Sequence, residues 1–318
     1  MALTGSTPGL PEPDRDRDFD MSAEIISGKE IAQTIREETK ERVAALKEKH
    51  DFTPGLATVL VGEDPASQSY VGMKNKAAKE LGIYSRQITL DADIPEAELL
   101  GLVEGLNADP EIHGILVQLP LPKHIDESKI LLAIDPDKDV DGFHPTNVGK
   151  LATGATEVLA PCTPAGVVEM LLRSGNDPSG KHCVIVGRSN IVGRPMASLL
   201  LRKAPGGNAT VTTCHSRTPD LGAMTRLADI LIVAIGWPNT VTADMVKSGA
   251  VVIDVGTNRV DDDTRERGWR LVGDVAFDEV KEVASAITPV PGGVGPMTIT
   301  MLMCNTVDAA VRLAGIQE

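Results

Sequence analysis

Cys183-Val-Ile-Val-Gly187-Arg-Ser-Asn-Ile-Val-Gly193-Arg-Pro195 decides the fold of this chain. A β-branched run stops on a glycine, a second glycine follows six residues later, and Met196 to Lys203 then has the pattern of a helix. Strand, glycine turn and helix make up the setting a dinucleotide loop requires. Glycine permits the tight turn and the close backbone approach, and free amides at a helix start attract phosphate. The loop departs from the usual G-x-G-x-x-G, because Ser189 stands where the second glycine belongs and the last glycine comes one residue late. Taken alone, such a loop is equally a tight strand-to-helix turn.

The segments downstream of the loop decide between the two readings. Further strands are predicted at Ala209 to Cys214, Ile230 to Ile235 and Val251 to Val255, with helices in the gaps that include Ala243 to Lys247. Short β-branched runs separated by helices form a doubly wound, Rossmann-like sheet. Upstream, a helix is predicted over Gly28 to Lys49, a strand over Leu56 to Val61, a helix ending at Leu81 and a strand over Arg86 to Leu90. A helix near Glu96 to Leu106, a strand Gly114 to Gln118 and a short helix near Ser128 to Ile134 complete this half, a second parallel sheet with helices on both faces. Asp135 to Pro164, rich in Pro, Gly, Asp and Thr, is the expected passage between domains. A strongly apolar helix, about Met297 to Leu313, is expected to pack back on the first domain.

The expected fold is therefore α/β with two domains and a cleft between them. Residues 22–160 plus 291–318 form an N-terminal substrate domain completed by the C-terminal helix, and residues 161–290 form the Rossmann-like dinucleotide domain. Residues 1–21, with Pro-Glu-Pro and an Asp-Arg alternation, read as a disordered leader.

Where the strand after the phosphate loop ends, an NAD enzyme carries an acid for the ribose hydroxyls. Here the chain reads Thr213-Cys-His-Ser-Arg217. With no carboxylate there, and with Ser216, Arg217 and Arg188 able to bond a phosphate, NADP is favoured. Val233-Ala-Ile-Gly236 and Asp254-Val-Gly256-Thr-Asn258 end two further strands on small residues, which lets a flat ligand lie against backbone. The candidate cofactor contacts are Gly187, Arg188, Ser189, Ile191, Val192, Gly193, His215, Ser216, Arg217, Ala234, Gly236 and Thr257.

In the first domain a lysine stands out. Projected at helical spacing, Tyr70, Lys74, Ala77 and Leu81 share a stripe that reads as inward, while Asn75, Lys76, Lys79 and Glu80 take the other side. An ammonium on an inward face is costly unless paired or neutralised, and desolvation favours the neutral amine that proton transfer needs. Gln118 ends the Gly114 strand at the carboxyl edge where open parallel sheets bind ligands. Tyr-x-x-x-Lys also occurs in short-chain dehydrogenases, but there it follows the nucleotide loop, and here it precedes it by more than a hundred residues.

The acids of Asp137-Lys-Asp-Val-Asp141 lack the glycine-centred calcium pattern, and no metal is expected. The net charge of −14, from 31 Lys and Arg against 45 Asp and Glu, disfavours nucleic acid and anionic membrane. Four scattered cysteines without a CxxC pair fit a reducing cytoplasm, and no uncharged apolar run reaches the roughly 18 to 20 residues that span a bilayer.

Several ordered motifs resemble the bifunctional methylenetetrahydrofolate dehydrogenase/methenyltetrahydrofolate cyclohydrolase family. They are Tyr70-Val-Gly-Met-Lys74-Asn-Lys-Ala77, Gly114-Ile-Leu-Val-Gln118-Leu-Pro-Leu-Pro122, Lys138-Asp-Val-Asp141-Gly-Phe-His, Pro161-Cys-Thr-Pro164, the phosphate loop with its serine, and Pro289-Val-Pro-Gly-Gly-Val-Gly-Pro-Met-Thr298. The resemblance runs from Ile25 to Leu313. It implies Lys74 as the main catalytic group, Gln118 bonded to it, Tyr70 packed on the folate, Asp141 anchoring the pterin, and Pro291, Gly292 and Gly293 lining the folate and nicotinamide cleft. It further implies tetrahydrofolate derivatives as substrates, NADP as cofactor and a cytoplasmic homodimer. Two rival readings of the residues are a shikimate-type or amino-acid dehydrogenase, which shares the domain order, and a nucleotide sensor without turnover.

Overall fold

The computed structural model of the chain describes residues 22–155 and 157–317; the expected leader therefore lies outside the described residues. The first part runs β1 (Glu24–Ile25), α1 (Gly28–His50), β2 (Gly55–Val61), α2 (Pro65–Glu80), β3 (Tyr84–Leu90), α3 (Glu96–Ala108), β4 (Gly114–Val117), α4 (Glu127–Ala133), α5 (Pro145–Ala152) and α6 (Cys162–Arg173). The second runs β5 (His182–Val186), α7 (Gly193–Leu201), β6 (Thr210–Cys214), α8 (Leu221–Thr225), β7 (Ile230–Val233), β8 (Val251–Asp254), β9 (Asn258–Asp261), β10 (Trp269–Val272), α9 (Phe277–Val280), β11 (Ala286–Ile287) and α10 (Val294–Ala314). A 3₁₀ turn, Ala243–Met245, stands where a helix was expected before β8.

Two parallel sheets organise the molecule. The smaller has order β3-β2-β4 and the larger β1-β11-β8-β7-β5-β6. In β2 every residue is buried, and strict alternation sends its side chains to two different cores. Leu56 packs with Val43, Leu81 and Val307 on the face covered by α1, α2 and α10. Ala57 and Val59 pack with Leu99, Val103 and Ile130 on the face covered by α3 and α4. The same alternation in β5 puts Cys183 and Ile185 in one core and Val184 and Val186 in the other.

The larger sheet has two strands that periodicity did not predict, β1 and β11, each of two residues and too short for alternation to register. β1 pairs in parallel with β11, so Glu24 and Ile25, though N-terminal, lie at the edge of the larger sheet. Within the expected loop from Asp135 to Pro164 the chain forms α5, and α6 follows from Cys162. Both helices begin at a proline-marked turn, α5 with Pro145 in its first turn and α6 directly after Pro161.

Two long helices belong to both halves. In α1, Ala32 and Ile35 lie in the core around the large sheet, while Val43 and Leu46 lie in that of the small one. In α10, Val294 and Met297 belong to the first core, and Leu302, Met303 and Val307 to the second. α10 is long and apolar enough to cross a membrane by length and composition, but 56% of its most apolar 18-residue stretch is buried inside the protein, the position of a core helix.

Candidate active site

A cleft of about 650 Å³ opens between the two sheets. α2 supplies Tyr70, Met73 and Lys74, the carboxyl end of β4 supplies Gln118, and the glycine turn before α7 and the loop after β8 supply Val192 and Val255 to Thr257. The far wall is the segment from Pro289 to Pro296.

Lys74 is half-buried rather than central to the core face, and the helix is rotated from the projected orientation. The buried residues of α2 are Ser67, Val71, Asn75, Ala77 and Ala78, so Ala77 faces inward as expected while Asn75 takes the inward place read for Lys74. Asn75, expected to face solvent, is 6% exposed. Its Oδ1 accepts from Thr58 Oγ1 at 2.9 Å and from Ser85 Oγ at 2.8 Å, and its Nδ2 donates to Gln87 Oε1 at 2.5 Å. A polar residue is stable inside when each of its groups is bonded. The consequence is that Tyr70 and Lys74 look into the cleft, with Tyr70 50% exposed.

Lys74 Nζ donates to Gln118 Oε1 at 3.0 Å. Asp141 lies close enough for the Lys74 charge to act on it: burial pushes its carboxyl up to about 6, with Lys74 opposing that rise and Asp139 adding to it. Cys162, buried beside the same groups, donates to the carbonyl of Val140 at 3.4 Å, and burial raises its thiol well above the ordinary range, which disfavours the nucleophilic thiolate.

The other acids of that loop are structural. Asp139 Oδ2 accepts from the His144 amide and Asn147 Nδ2, and Asp137 pairs with Arg312 and Lys150. Among the described residues no group of three His, Cys, Asp or Glu is placed to hold a metal.

At the glycine turn after β5, Gly187 has φ 130 and a Cβ there would lie 2.2 Å from the Ala234 carbonyl oxygen, so β5 and β7 approach at their carboxyl ends as only glycine allows. Ser189 turns its hydroxyl back to accept from the amides of Val192, at 3.1 Å, and Gly193, at 3.4 Å. The serine thus ties the loop to the start of α7. Arg188, Ile191, Ser216 and Arg217 are exposed, and His215 is half-buried with its Nδ1 accepting from the Arg217 amide. Arginine and hydroxyl donors without a carboxylate suit a ribose that carries a phosphate.

Of the expected residues, Tyr70, Lys74, Gln118, Val192, Thr257, Pro291, Gly292 and Gly293 line the one cleft. Asp141 is outside that lining but within reach of the Lys74 charge, and His215, Ser216 and Arg217, which follow β6, are also outside it. Met73, Thr163, Leu271, Thr298 and Ile299 also line it, and sequence reasoning gave none of them a role. Of these, Thr163 lies inside the motif Pro161-Cys-Thr-Pro164; its hydroxyl meets that of Thr298 at 2.9 Å, joining α6 to α10.

The family model for the tetrahydrofolate dehydrogenase/cyclohydrolase catalytic domain matches residues 26–141, and that for the family's NAD(P)-binding domain matches residues 161–314. The chain belongs to the tetrahydrofolate dehydrogenase/cyclohydrolase family. Among similar proteins, the bifunctional protein FolD of Syntrophobacter fumaroxidans is 60% identical over 289 residues, covering 91% of this chain and 97% of that protein. The crystal structure of the bifunctional FolD dehydrogenase/cyclohydrolase from Campylobacter jejuni is 50% identical, covers 92% of this chain and all of that one, and superposes with TM-score 0.86. The dehydrogenase-cyclohydrolase of Trypanosoma brucei, solved with NADP cofactor and an inhibitor, is 42% identical, covers 92% of this chain and 99% of that one, and also gives TM-score 0.86. In this tetrahydrofolate dehydrogenase/cyclohydrolase chain, the two matched regions supply opposite walls of the cleft.

Proposed function

We propose that the cleft oxidises 5,10-methylenetetrahydrofolate to the methenyl cation and hydrolyses that cation to 10-formyltetrahydrofolate. The observation that carries this reading is the Lys74 to Gln118 hydrogen bond, held on the wall facing the nucleotide loops. Bound NADP supplies the hydride acceptor.

For the second half, Lys74 is the proton shuttle. Water adds to the methenyl carbon and loses a proton, a proton is delivered to the departing ring nitrogen, and the C–N bond opens to leave the formyl group. An amine hydrogen-bonded to a neutral amide can take up and return a proton without an ion pair to break. Gln118 holds it, Tyr70 offers a ring face to the folate, and Asp141 anchors the pterin. Pro291, Gly292 and Gly293 border the folate, and Gly187, Arg188, Ser189, Ile191, Val192, Gly193, His215, Ser216, Arg217, Ala234, Gly236 and Thr257 hold NADP.

In this reading residues 22–160 with 291–318 are the folate-binding catalytic domain and 161–290 the dinucleotide domain, with α1 and α10 anchored in both cores. The working form is a cytoplasmic homodimer, and the charge of −14 keeps it from nucleic acid and anionic membrane. The test is purified protein with methylenetetrahydrofolate, comparing NADP with NAD and following both methenyl formation and its decay. Methenyl formation that depends on nucleotide, followed by decay faster than the buffer blank, is the expected result. A chain that binds NADP but turns over neither folate would be a nucleotide sensor.

A further inference from the structure

The loops at the nucleotide end of the cleft hang on two buried carboxylates. Asp254 ends β8 and is 3% exposed; Asp274 follows β10 and is fully buried. Asp274 Oδ2 accepts from the amides of Ile235, at 2.7 Å, and Gly236, at 2.9 Å, while its Oδ1 accepts from Asn258 Nδ2 at 2.8 Å. Asp254 Oδ1 accepts from the amides of Gly256, at 2.9 Å, and of Asp274 itself, at 3.0 Å, and its Oδ2 from that of Val275 at 2.9 Å. One pair of side chains therefore ties together the loop after β7, the loop after β8 and the return from the β9–β10 hairpin.

Two glycines make room for them. A Cβ on Gly256 would lie 2.3 Å from Asp274 Oδ1, and one on Gly273 only 1.8 Å from Asp254 Oδ2. Burying two carboxylates is costly, and well-packed apolar residues would hold a core as firmly without that cost. What carboxylates add is direction: each oxygen fixes the donors that point at it, and here every donor is a neutral amide on a cleft loop or its support.

We infer that Asp274, backed by Asp254, is a positioning residue for the dehydrogenase half of the reaction, holding the loops of Gly236 and Thr257 in the shape that receives NADP. The inference rests on the reading that those loops bind the cofactor. Lys74 and Gln118 belong to α2 and the end of β4, outside the clamp, so the hydrolytic half is independent of it.

Asp274→Asn tests this, because it keeps the shape but replaces one accepting oxygen with an amide NH2 that faces donors needing an acceptor. The expected result is an NADP dissociation constant raised about tenfold and a dehydrogenase kcat/KM lowered at least as much. Hydrolysis of supplied methenyltetrahydrofolate without nucleotide should stay within about twofold of the parent. Asn258→Ser, which removes one partner of Asp274 and no buried charge, should shift NADP binding in the same direction by less, and it decides the matter if Asp274→Asn fails to fold. Gly236→Val, placed in the loop itself, is the control for the cofactor reading. If it weakens NADP while the other two do not, the clamp is overturned and the cofactor reading stands. If none of the three alters NADP binding, the cofactor reading falls and takes the inference with it. Parallel loss of both activities in the clamp variants is a folding defect and also overturns it.

Discussion

Gln118 turns its Oε1 to Lys74 Nζ, 3.0 Å away, because its own Nε2 is engaged by the Leu119 carbonyl at 2.7 Å. The amide is thereby fixed the right way round to accept from the lysine. Lys74→Met keeps the length of the side chain and removes the proton carrier. Hydrolysis of methenyltetrahydrofolate should fall by about 10² to 10⁴, while the circular dichroism spectrum and NADP affinity stay as in the parent. Undiminished hydrolysis would remove Lys74 from the mechanism.

The raised Asp141 carboxyl gives a pH signature. In the free protein it is protonated below about 6, so its hold on the pterin should weaken as the pH falls through that value, and KM for the folate should rise with a one-proton slope. Asp141→Asn should show no such slope. Stability runs the opposite way. A carboxyl harder to ionise folded than unfolded costs stability above about 6, and that cost disappears as the pH falls toward the ordinary carboxylate range near 4. Asp141→Asn should therefore gain stability against urea at neutral pH and gain little at pH 4.

Asn305, buried on α10, holds the floor beneath Asp141. Its Nδ2 donates to the carbonyls of Val140, at 2.8 Å, and Ala160, at 2.9 Å. Asn305→Ala takes this donor from both carbonyls, leaving that of Val140 only the long bond from Cys162 Sγ, and should cost about 1–3 kcal/mol in denaturant unfolding, with a rise in KM for the folate larger than any change in KM for NADP.

Because α1 and α10 each pack in the cores of both sheets, the two halves should melt together. Leu302→Ala, in the core of the small sheet, should cost about 2–5 kcal/mol and lower a single calorimetric transition. Two separated transitions would show that the shared helices do not couple the halves.

Arg217, exposed after β6, bears on the choice of nucleotide. Arg217→Ala should raise KM for NADP about tenfold or more, the loss of a charge-assisted bond to phosphate, and leave KM for NAD nearly unchanged. Equal effects on both nucleotides would place Arg217 away from the distinguishing phosphate.

The sequence alone determined what depends on local spacing. Alternating apolar runs broken by glycine produce parallel strands with helices between them, and a glycine turn at the end of β5, because these follow from the side-chain period and the φ a single residue can reach. Lys74 stood out in the sequence as a charge on an apolar stripe and Gln118 as a polar end to an apolar strand, while a part for Tyr70 came from the family resemblance. Tertiary structure alone decided what depends on partners distant in the chain. Asn75 turned inward because Thr58, Ser85 and Gln87 await it, which moved Lys74 from the core face to the cleft. β1 and β11 are too short for a pattern and exist only through each other and β8. Asp254 and Asp274 reveal their use only where separate loops bring amides to their oxygens. Periodicity measures how apolar a face is, but it cannot register a polar group whose cost of burial is met by a hydrogen bond from the far side of the fold.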